Sequence, residues 1–483
     1  MRAVHERGAA PYKVRWGPGE TLIRQSSHHL GQIILSKVTN DANESQKVEV
    51  IKSLQKQASM TDVIQQEGQV PIAYPSTKLF SYELIPDVSS EGLVKEAQLW
   101  RLASILYDPV AVQLPENTDS HLVEYAASRI RKSRLSVWFQ ENVSEQTAND
   151  LRNSRVVAER IYFLLSGYNI EDACVEAISE RDFRLGTLLP LAGGDDELRS
   201  NMREEIQNWT ENGCLAHVAI PYRAIYELIS GNVNISVGYG KIGSPEYARE
   251  FGVCESLDWL RAAAVRLWYE SKEDSHLSEF IKSYEFSFLN LSSVKPPLPW
   301  HGQINVDEAI KNKTYDGFYQ LLKLYSSPDS DLSDILQPLS YSESKLDSRL
   351  IWQLYSVLCC GLGMGDFNDR AIVTVKNGNK ESSVRGASMS ADQLCVSFAA
   401  ELEAKGLWQW SIFVLMHLEH PNSREIGIRE LLARNVMAYK DNENARRFLI
   451  NEFKIEESLL QDAITLHDSY ITSYKRVGPK EVS

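Results

Sequence analysis

From Gly92 to the end of the chain, apolar residues recur at the 3.6-residue spacing of amphipathic helices. In DELRSNMREEIQNW, Leu198, Met202, Ile206 and Trp209 follow at steps of four, four and three, which lines up one stripe. Asp195 and Asp196 precede it, where carboxylates cap a first turn and favour its positive end. In EAQLWRLASILYDP, Leu99, Leu102, Ala103 and Leu106 make one face, Trp100 and Ile105 widen it, and Pro109 stops the helix. A helix apolar nearly all round is buried on several sides, and DSRLIWQLYSVLCC and LWQWSIFVLMHL read the same way. One-sided patterns at 161–165 and 394–402 predict more exposed helices around these. Breakers at Gly167, Pro190, Gly193-Gly194, Gly213, Pro221 and Gly231 cut the region into roughly eighteen helices of ordinary globular length. No fixed period marks a consensus repeat. The spacing predicts an all-α fold, an irregular antiparallel helical stack.

The first ninety residues behave differently. Val14-Arg15-Trp16, TLIRQ and QIILSKV carry strand signals, separated by turn chemistry at Gly17-Pro18-Gly19 and around Gly31. Residues 39–90 are polar, with a helix predicted from about Glu44 to Gln66 and then an extended stretch punctuated by Pro71, Pro75 and Pro86. A two- or three-stranded ribbon of this size is marginal alone in water. Its edges would display unpaired backbone beside Leu22, Ile33, Ile34 and Leu35, and the linker that follows is too polar to cover them. Two outcomes remain open. Either the ribbon docks on its own helical body, or it adds to another protein's sheet.

Composition narrows the class. The chain has 483 residues, 43% of them apolar, which at ~150 residues per domain suits two to four modules or one elongated, multi-lobed unit. Against 51 Lys and Arg stand 65 Asp and Glu, a net charge of −14; that sign disfavours nucleic acid or anionic lipid as the main ligand. No apolar window is long enough for a membrane span, and MRAVHERGAAPYK lacks the apolar core of a secretory signal. Cys174, Cys214, Cys254, Cys359, Cys360 and Cys395 show no C-x-x-C spacing, which predicts reduced, buried thiols in the cytosol or nucleus.

Candidate chemistry is sparse. Gly361-Leu362-Gly363-Met364-Gly365 resembles a fragment of a dinucleotide loop, but it follows a helical run and no βαβ unit surrounds it, so a helix-ending loop is favoured. His417 and His420 could share a helix face and hold a metal; no third ligand has suitable spacing, and helix-end histidines are favoured. Cys359-Cys360 lies in an apolar run and reads as inert core thiols. No nucleophile elbow, phosphate-binding Walker loop or papain-like cysteine occurs. The basic run Arg129, Arg131, Lys132, Arg134 is either a solvated helix face or a polar contact with a neighbouring subunit. The expectation is a protein that is not an enzyme, with no catalytic, cofactor or metal site.

Longer strings are more telling. WQWSIFVLMHLEHPNSREIGIRELLARNV, RDFRLGTLLPLAGGDDELRSNMREEIQNW and SRIRKSRLSVWFQ resemble the ninety-six-kilodalton scaffold nucleoporin family, the C-terminal half of an autocleaved precursor whose N-terminal half carries GLFG repeats. VRWGPGETLI is similar to the opening of that family, and KEAQLWRLASILYDP to its first trunk helix. These matches are collinear and span most of the chain. The resemblance implies the ancestral coatomer element: a β insertion ribbon, then helices that climb a trunk, cross a crown and descend. It places the ribbon at 1–40, a linker with one helix at 41–90, ascending trunk at 91–154, crown at 155–290, descending trunk at 291–470 and the start of a tail at 471–483.

It further implies that the ribbon completes a Sec-thirteen-type WD-repeat propeller. Trp16, Gly17 and Pro18 would open the inserted blade, with Leu22, Ile23, Ile33, Ile34 and Leu35 supplying blade positions. The crown would pair with a second crown-bearing scaffold nucleoporin of the Y-shaped complex, near Leu198, Met202, Ile206, Trp209, Ile225 and Ile229; core packing is the competing reading of that stripe. The implied setting is the nuclear pore, in support of pore assembly, mRNA export and protein transport. The sequence shows no His-Phe-Ser cleavage junction and stops at KRVGPKEVS, where the family continues into a tail, so contacts at the Y hub are not expected of it. A vesicle-coat element of the outer COPII cage is the first alternative, since those proteins resemble the trunk but carry their own propeller and a Pro-rich segment; a helical enzyme, which would need a pocket of convergent titratable groups, is the second.

Overall fold

Among the described residues helices dominate, as the spacing requires, and the named strands form small antiparallel sheets. The computed structural model describes every residue except 1–14, 18–20, 26–32, 38–43, 66–67, 76–83, 87–92, 113–118, 195, 273, 303, 371, 378–379 and 477–483. Two compact units divide the chain: residues 98–328, and residues 1–97 together with 329–483.

The 98–328 unit is organised by the 34-residue helix Ser120–Asn153. Asp119 caps it by accepting from the His121 amide at 3.1 Å. Its buried positions, Leu135, Trp138, Phe139, Val143 and Thr147, follow the i, i+3, i+4 pattern of one helix face. Around that face sit mutually perpendicular rings, with Trp138 and Phe318 centroids 5.1 Å apart and Phe139 and Phe280 6.2 Å apart. The indole N–H groups are satisfied: Trp138 donates to the Gln98 carbonyl at 3.1 Å and Trp268 to the Ser136 hydroxyl at 2.8 Å. At Gly193, φ is +86° and a Cβ would stand 2.4 Å from the Trp268 carbonyl oxygen, so only glycine fits that close approach.

The other unit packs Glu44–Ser59 with Arg349–Leu354, Met389–Ala404, Trp408–Leu415, Pro421–Arg434, Glu443–Phe453 and Glu457–Arg476. Leu54, Trp352, Phe398, Phe413 and Leu449 are all fully buried at its centre. Two hairpins depart from the sequence expectation. The helix predicted to reach Gln66 stops at Ser59, and Thr61–Ile64 is a strand (β4) paired with Ile72–Pro75 (β5). The Thr61 hydroxyl donates back to the Gln57 carbonyl at 2.7 Å, closing the helix where β-branched residues begin. Farther on, Ile372–Asn377 pairs with Lys380–Arg385 in a region expected to be helical.

The glycine cluster ends a helix. Arg349–Leu354 continues through a π-helical segment to Gly361; Leu362 and Met364 then donate back to Val357 and Leu358, while Gly363 and Gly365 take φ of +68° and +76°. The cysteines are all free, but only Cys254 and Cys395 are buried. Cys360 is exposed and Cys359 half-buried, a correction to the core-thiol reading: at the end of an all-apolar run, the last turn already emerges.

Candidate partner-binding surfaces

The predicted ribbon forms three antiparallel strands in the order β1 (Arg15–Gly17), β2 (Thr21–Gln25), β3 (Ile33–Lys37). Trp16 pairs with Leu22 and Leu22 with Ser36; Ile23 pairs with Leu35, Arg24 with Ile34 and Gln25 with Ile33. Trp16, Gly17, Leu22, Ile23, Ile33, Ile34 and Leu35 therefore belong to one sheet, while Pro18 lies outside the described residues. Since strand residues alternate between faces, the register puts Trp16, Leu22 and Ile34 on one face and Ile23, Ile33 and Leu35 on the other. Apolar positions on both faces suit a sheet layered between two others. Among the described residues no strand outside the ribbon pairs with it, so β1 and β3 are its edges.

The second surface lies on the helices Ile170–Ser179, Phe183–Leu188, Asp196–Glu211 and Ile220–Ile229. The six positions assigned to it from sequence separate into two groups. Met202, Ile225 and Ile229 are interior, 2% exposed or less, and so belong to the chain's own core rather than to its surface. Leu198, Ile206 and Trp209 are half-buried. The Trp209 ring stands perpendicular to Tyr226 with centroids 5.0 Å apart, which directs the stripe toward the neighbouring helix. Every residue from Arg223 to Ile229 is buried, more than a single amphipathic stripe requires.

The exposed apolar residues here are ones the sequence reading passed over: Val175 at 66%, Ile178 at 51% and Phe183 at 64%. Ile178 lies against Gly186, where a Cβ would approach its Cγ1 to 3.0 Å. Asp182 caps the short Phe183–Leu188 helix by accepting from the Leu185 amide at 2.9 Å, and Arg184 pairs with Glu205 of the next helix. Burial pushes the Tyr222 and Tyr226 phenols up, and the nearby Asp182 carboxylate adds to both shifts. Residues of several helices thus converge at one place. A six-residue helix is too short to show a periodic stripe, which is why its exposed Phe183 gave no signal.

The remaining chemical candidates are structural. The half-buried His417 ring stands edge-on to Trp352 and Phe413, at 5.2 and 4.9 Å, and its Nδ1 donates to the Phe413 carbonyl at 2.9 Å. Burial lowers its pKa to about 4, so the ring is neutral. His420 instead pairs with Asp392 at 2.7 Å. Among the described residues no group of three or more His, Cys, Asp or Glu is arranged to hold a metal. In the basic run, Arg131 donates to the Ile105 and Asp108 carbonyls at 2.8 and 2.9 Å, and Lys132 to the Lys272 carbonyl at 2.7 Å. Those two cations tie the long helix to its surroundings, so the run is only in part a solvated face.

Comparison with known proteins adds a family. The profile of the family described as Nuclear protein 96 (Nup96) matches residues 159–467. Nucleoporin nup189 of Schizosaccharomyces pombe is 31% identical over 377 residues, covering 78% of this chain and 20% of that protein. Nuclear pore complex protein NUP96 of Arabidopsis thaliana is 26% identical over 434 residues, 85% of this chain and 37% of its own length. Nuclear pore complex protein Nup98-Nup96 of Drosophila melanogaster is 26% identical over 406 residues, 82% of this chain and 19% of its own. The chain spans between about a fifth and two fifths of these relatives.

Proposed function

The chain belongs to the Nuclear protein 96 family, and on that footing we propose that it is an architectural subunit of the nuclear pore's Y-shaped complex, joined to its neighbours by strand donation at one place and helix packing at another. Its relatives are nucleoporins, which supports a structural scaffold at the nuclear envelope. Residues 91–154 and 291–470 form the trunk and 155–290 the crown; pore assembly, and through it mRNA export and protein transport, is the task served.

The observation that carries this reading is the ribbon: three strands, two open edges and apolar positions on both faces. A blade of a propeller is flanked by a blade on each side, so both of its faces are buried. Completing a Sec-thirteen-type WD-repeat propeller covers all of this at once, with backbone pairing providing affinity and side chains specificity. At the crown, Phe183, Ile178 and Val175 supply the apolar centre for a second scaffold nucleoporin, in an interface of about 1,600 Å² or more.

Co-expression with the propeller tests the reading. The two chains should co-elute on size exclusion, and Leu22→Asp with Ile34→Asp should abolish co-elution while leaving helical circular dichroism intact. Co-elution of that double variant at wild-type level defeats the blade assignment.

A further inference from the structure

Residues 170–211 hold eleven carboxylates and four arginines, a net −7 and half of the −14 carried by all 483 residues. They include the helices Ile170–Ser179, Phe183–Leu188 and Asp196–Glu211, the first two of which carry the exposed Val175, Ile178 and Phe183. The acids and the apolar residues share one surface. Glu171, Val175 and Ile178 follow at steps of four and three, so one outer face of Ile170–Ser179 begins with an anion and ends in a hydrophobic turn. Arg181, at φ +63°, then turns the chain: its amide and that of Asp182 donate back to Ile178 and Ala177, both at 2.9 Å, and Phe183 starts the next helix at once. Glu180 is exposed within that turn. Burial is the largest cause of the raised Tyr222 and Tyr226 phenols, but carboxylates add to both, Asp182 and Glu180 to the first, Asp182 and Glu205 to the second. The negative field therefore converges in space as well as in sequence.

Helix stability explains only part of this charge. Glu171 and Asp172, like Asp196 and Glu197, sit in first turns, where the positive end of a helix favours them. Glu180 instead caps the far end of Ile170–Ser179, and Glu211 ends Asp196–Glu211. Those positions favour a cation, yet neither helix has a basic residue in its last turn. Internal pairs neutralise another part: Glu176 meets Arg160, Glu205 meets Arg184 and Asp196 meets Arg199. Glu171, Glu180, Glu204 and Glu211 remain exposed to solvent around the apolar residues.

That charge selects the occupant. A second copy of the chain would bring −7 against −7, and nucleic acid or an anionic membrane carries the same sign. What fits is a protein face with an apolar centre, to receive Val175, Ile178 and Phe183, inside a rim of lysine and arginine. We infer that the acidic rim steers a partner of this kind, the second scaffold nucleoporin, onto the surface by long-range attraction, and that the apolar centre holds it once docked. This rests on the crown contact proposed above. The two parts act on different rates. Rim charges set how fast the complex forms, because steering is screened over a Debye length of about 10 Å at 0.1 M salt; the buried centre sets how slowly it comes apart.

The test is stopped-flow association of the full chain with the purified second scaffold nucleoporin, from about 50 to about 500 mM salt. Wild-type association should slow about tenfold over that range. Glu171→Gln with Glu180→Gln and Glu204→Gln should associate about fivefold more slowly at low salt, with a flatter salt dependence and a dissociation rate within about twofold of wild type. Helical circular dichroism should be unchanged, because all three side chains are exposed. Phe183→Ala should do the reverse, dissociating about tenfold faster with its association rate nearly kept. A triple variant that matches wild type in association rate and salt dependence overturns the inference while the crown contact stands. A dimer of the chain alone that Phe183→Ala abolishes puts a second copy on the surface and overturns both, as does failure of the wild-type chain to bind that nucleoporin.

Discussion

Trp209 lies on the helix Asp196–Glu211 and Phe183 on the helix Phe183–Leu188, and the proposed crown contact gives them opposite roles. Trp209 is more than half buried, with its ring perpendicular to Tyr226 at 5.0 Å. A tryptophan in this state removes about 100–150 Å² from water, which at about 25 cal/mol per Å² contributes about 3 kcal/mol. Edge-to-face packing adds about 0.5–1.5 kcal/mol, and collapse of the neighbours around a truncated site returns part of the total. Trp209→Ala should therefore destabilise its unit by about 2–3 kcal/mol. For a unit of this size that lowers the melting midpoint by roughly 4–12 °C. Phe183, 64% exposed, leaves little transfer energy in the isolated chain, so Phe183→Ala should stay within about 0.5 kcal/mol of wild type.

Binding should reverse the order of severity. Differential scanning calorimetry gives the stability of each variant, and titration with the proposed second scaffold nucleoporin gives its affinity. Phe183→Ala is expected to cost tenfold or more in affinity at near-normal stability. Trp209→Ala should melt early yet bind nearly normally at low temperature, where its unit is still folded. A Trp209→Ala protein that melts with wild type would show that the stripe is surface, not core. A Phe183→Ala protein with unchanged partner affinity would remove that residue from the interface.

Three further outcomes follow from individual sites. Gly193→Ala should destabilise by about 2 kcal/mol or more, since its Cβ would meet the Trp268 carbonyl at 2.4 Å, while Gly194→Ala next door, with nothing within 4 Å, should be mild; urea unfolding separates them. His417, neutral because its folded pKa of about 4 lies below the ordinary histidine value of 6.5, contributes stability that is present above pH 6.5 and is lost as pH falls toward 4. Wild type should lose about 1.4 kcal/mol per pH unit in that window beyond what His417→Leu loses, measured by denaturant titration across pH. Arg370→Ala should cost about 3 kcal/mol, because it leaves Glu419 and Asp366 without the cation that bonds them, Nε to Asp366 at 2.6 Å and Nη2 to Glu419 at 2.6 Å; increased amide exchange at the base of the Ile372–Arg385 hairpin is the readout. Burial opposes the Glu419 charge, yet Arg370 and the Tyr355 hydroxyl hold its carboxyl below the usual range, so its share of this stability disappears only as pH drops through that lowered value.

How far the sequence foretold all this depends on what periodicity measures. A 3.6 spacing reports that one side of a helix is buried, and it located Trp100, Trp352 and Phe413 in the interior, where the structure has them. It does not say whether the burying surface belongs to the same chain. That is why the stripe through Met202 and the run at Ile225 and Ile229 read as a partner surface as readily as a core, and why burial in the folded chain was needed to separate them. Thr61–Ile64 went unseen for a different reason. It follows a helix without a Gly or Pro breaker, and the strand is selected by its pairing with Ile72–Pro75 rather than by anything within four residues. Tertiary context overrides local preference most easily in segments that short.

The ribbon was legible for the converse reason: glycine and proline between short alternating runs specify turns locally, with no help from the rest of the fold. The proposed strand donation has a physical basis too. A helix whose stripe is covered within the chain gives no sign of a partner, but a sheet with apolar positions on both faces, such as Leu22 and Ile34 on one and Ile23 and Leu35 on the other, cannot cover both by resting on a single surface. Docking on its own helical body would bury one face and leave the other in water. Insertion between two blades would bury both, which is the physical support for the proposed strand donation.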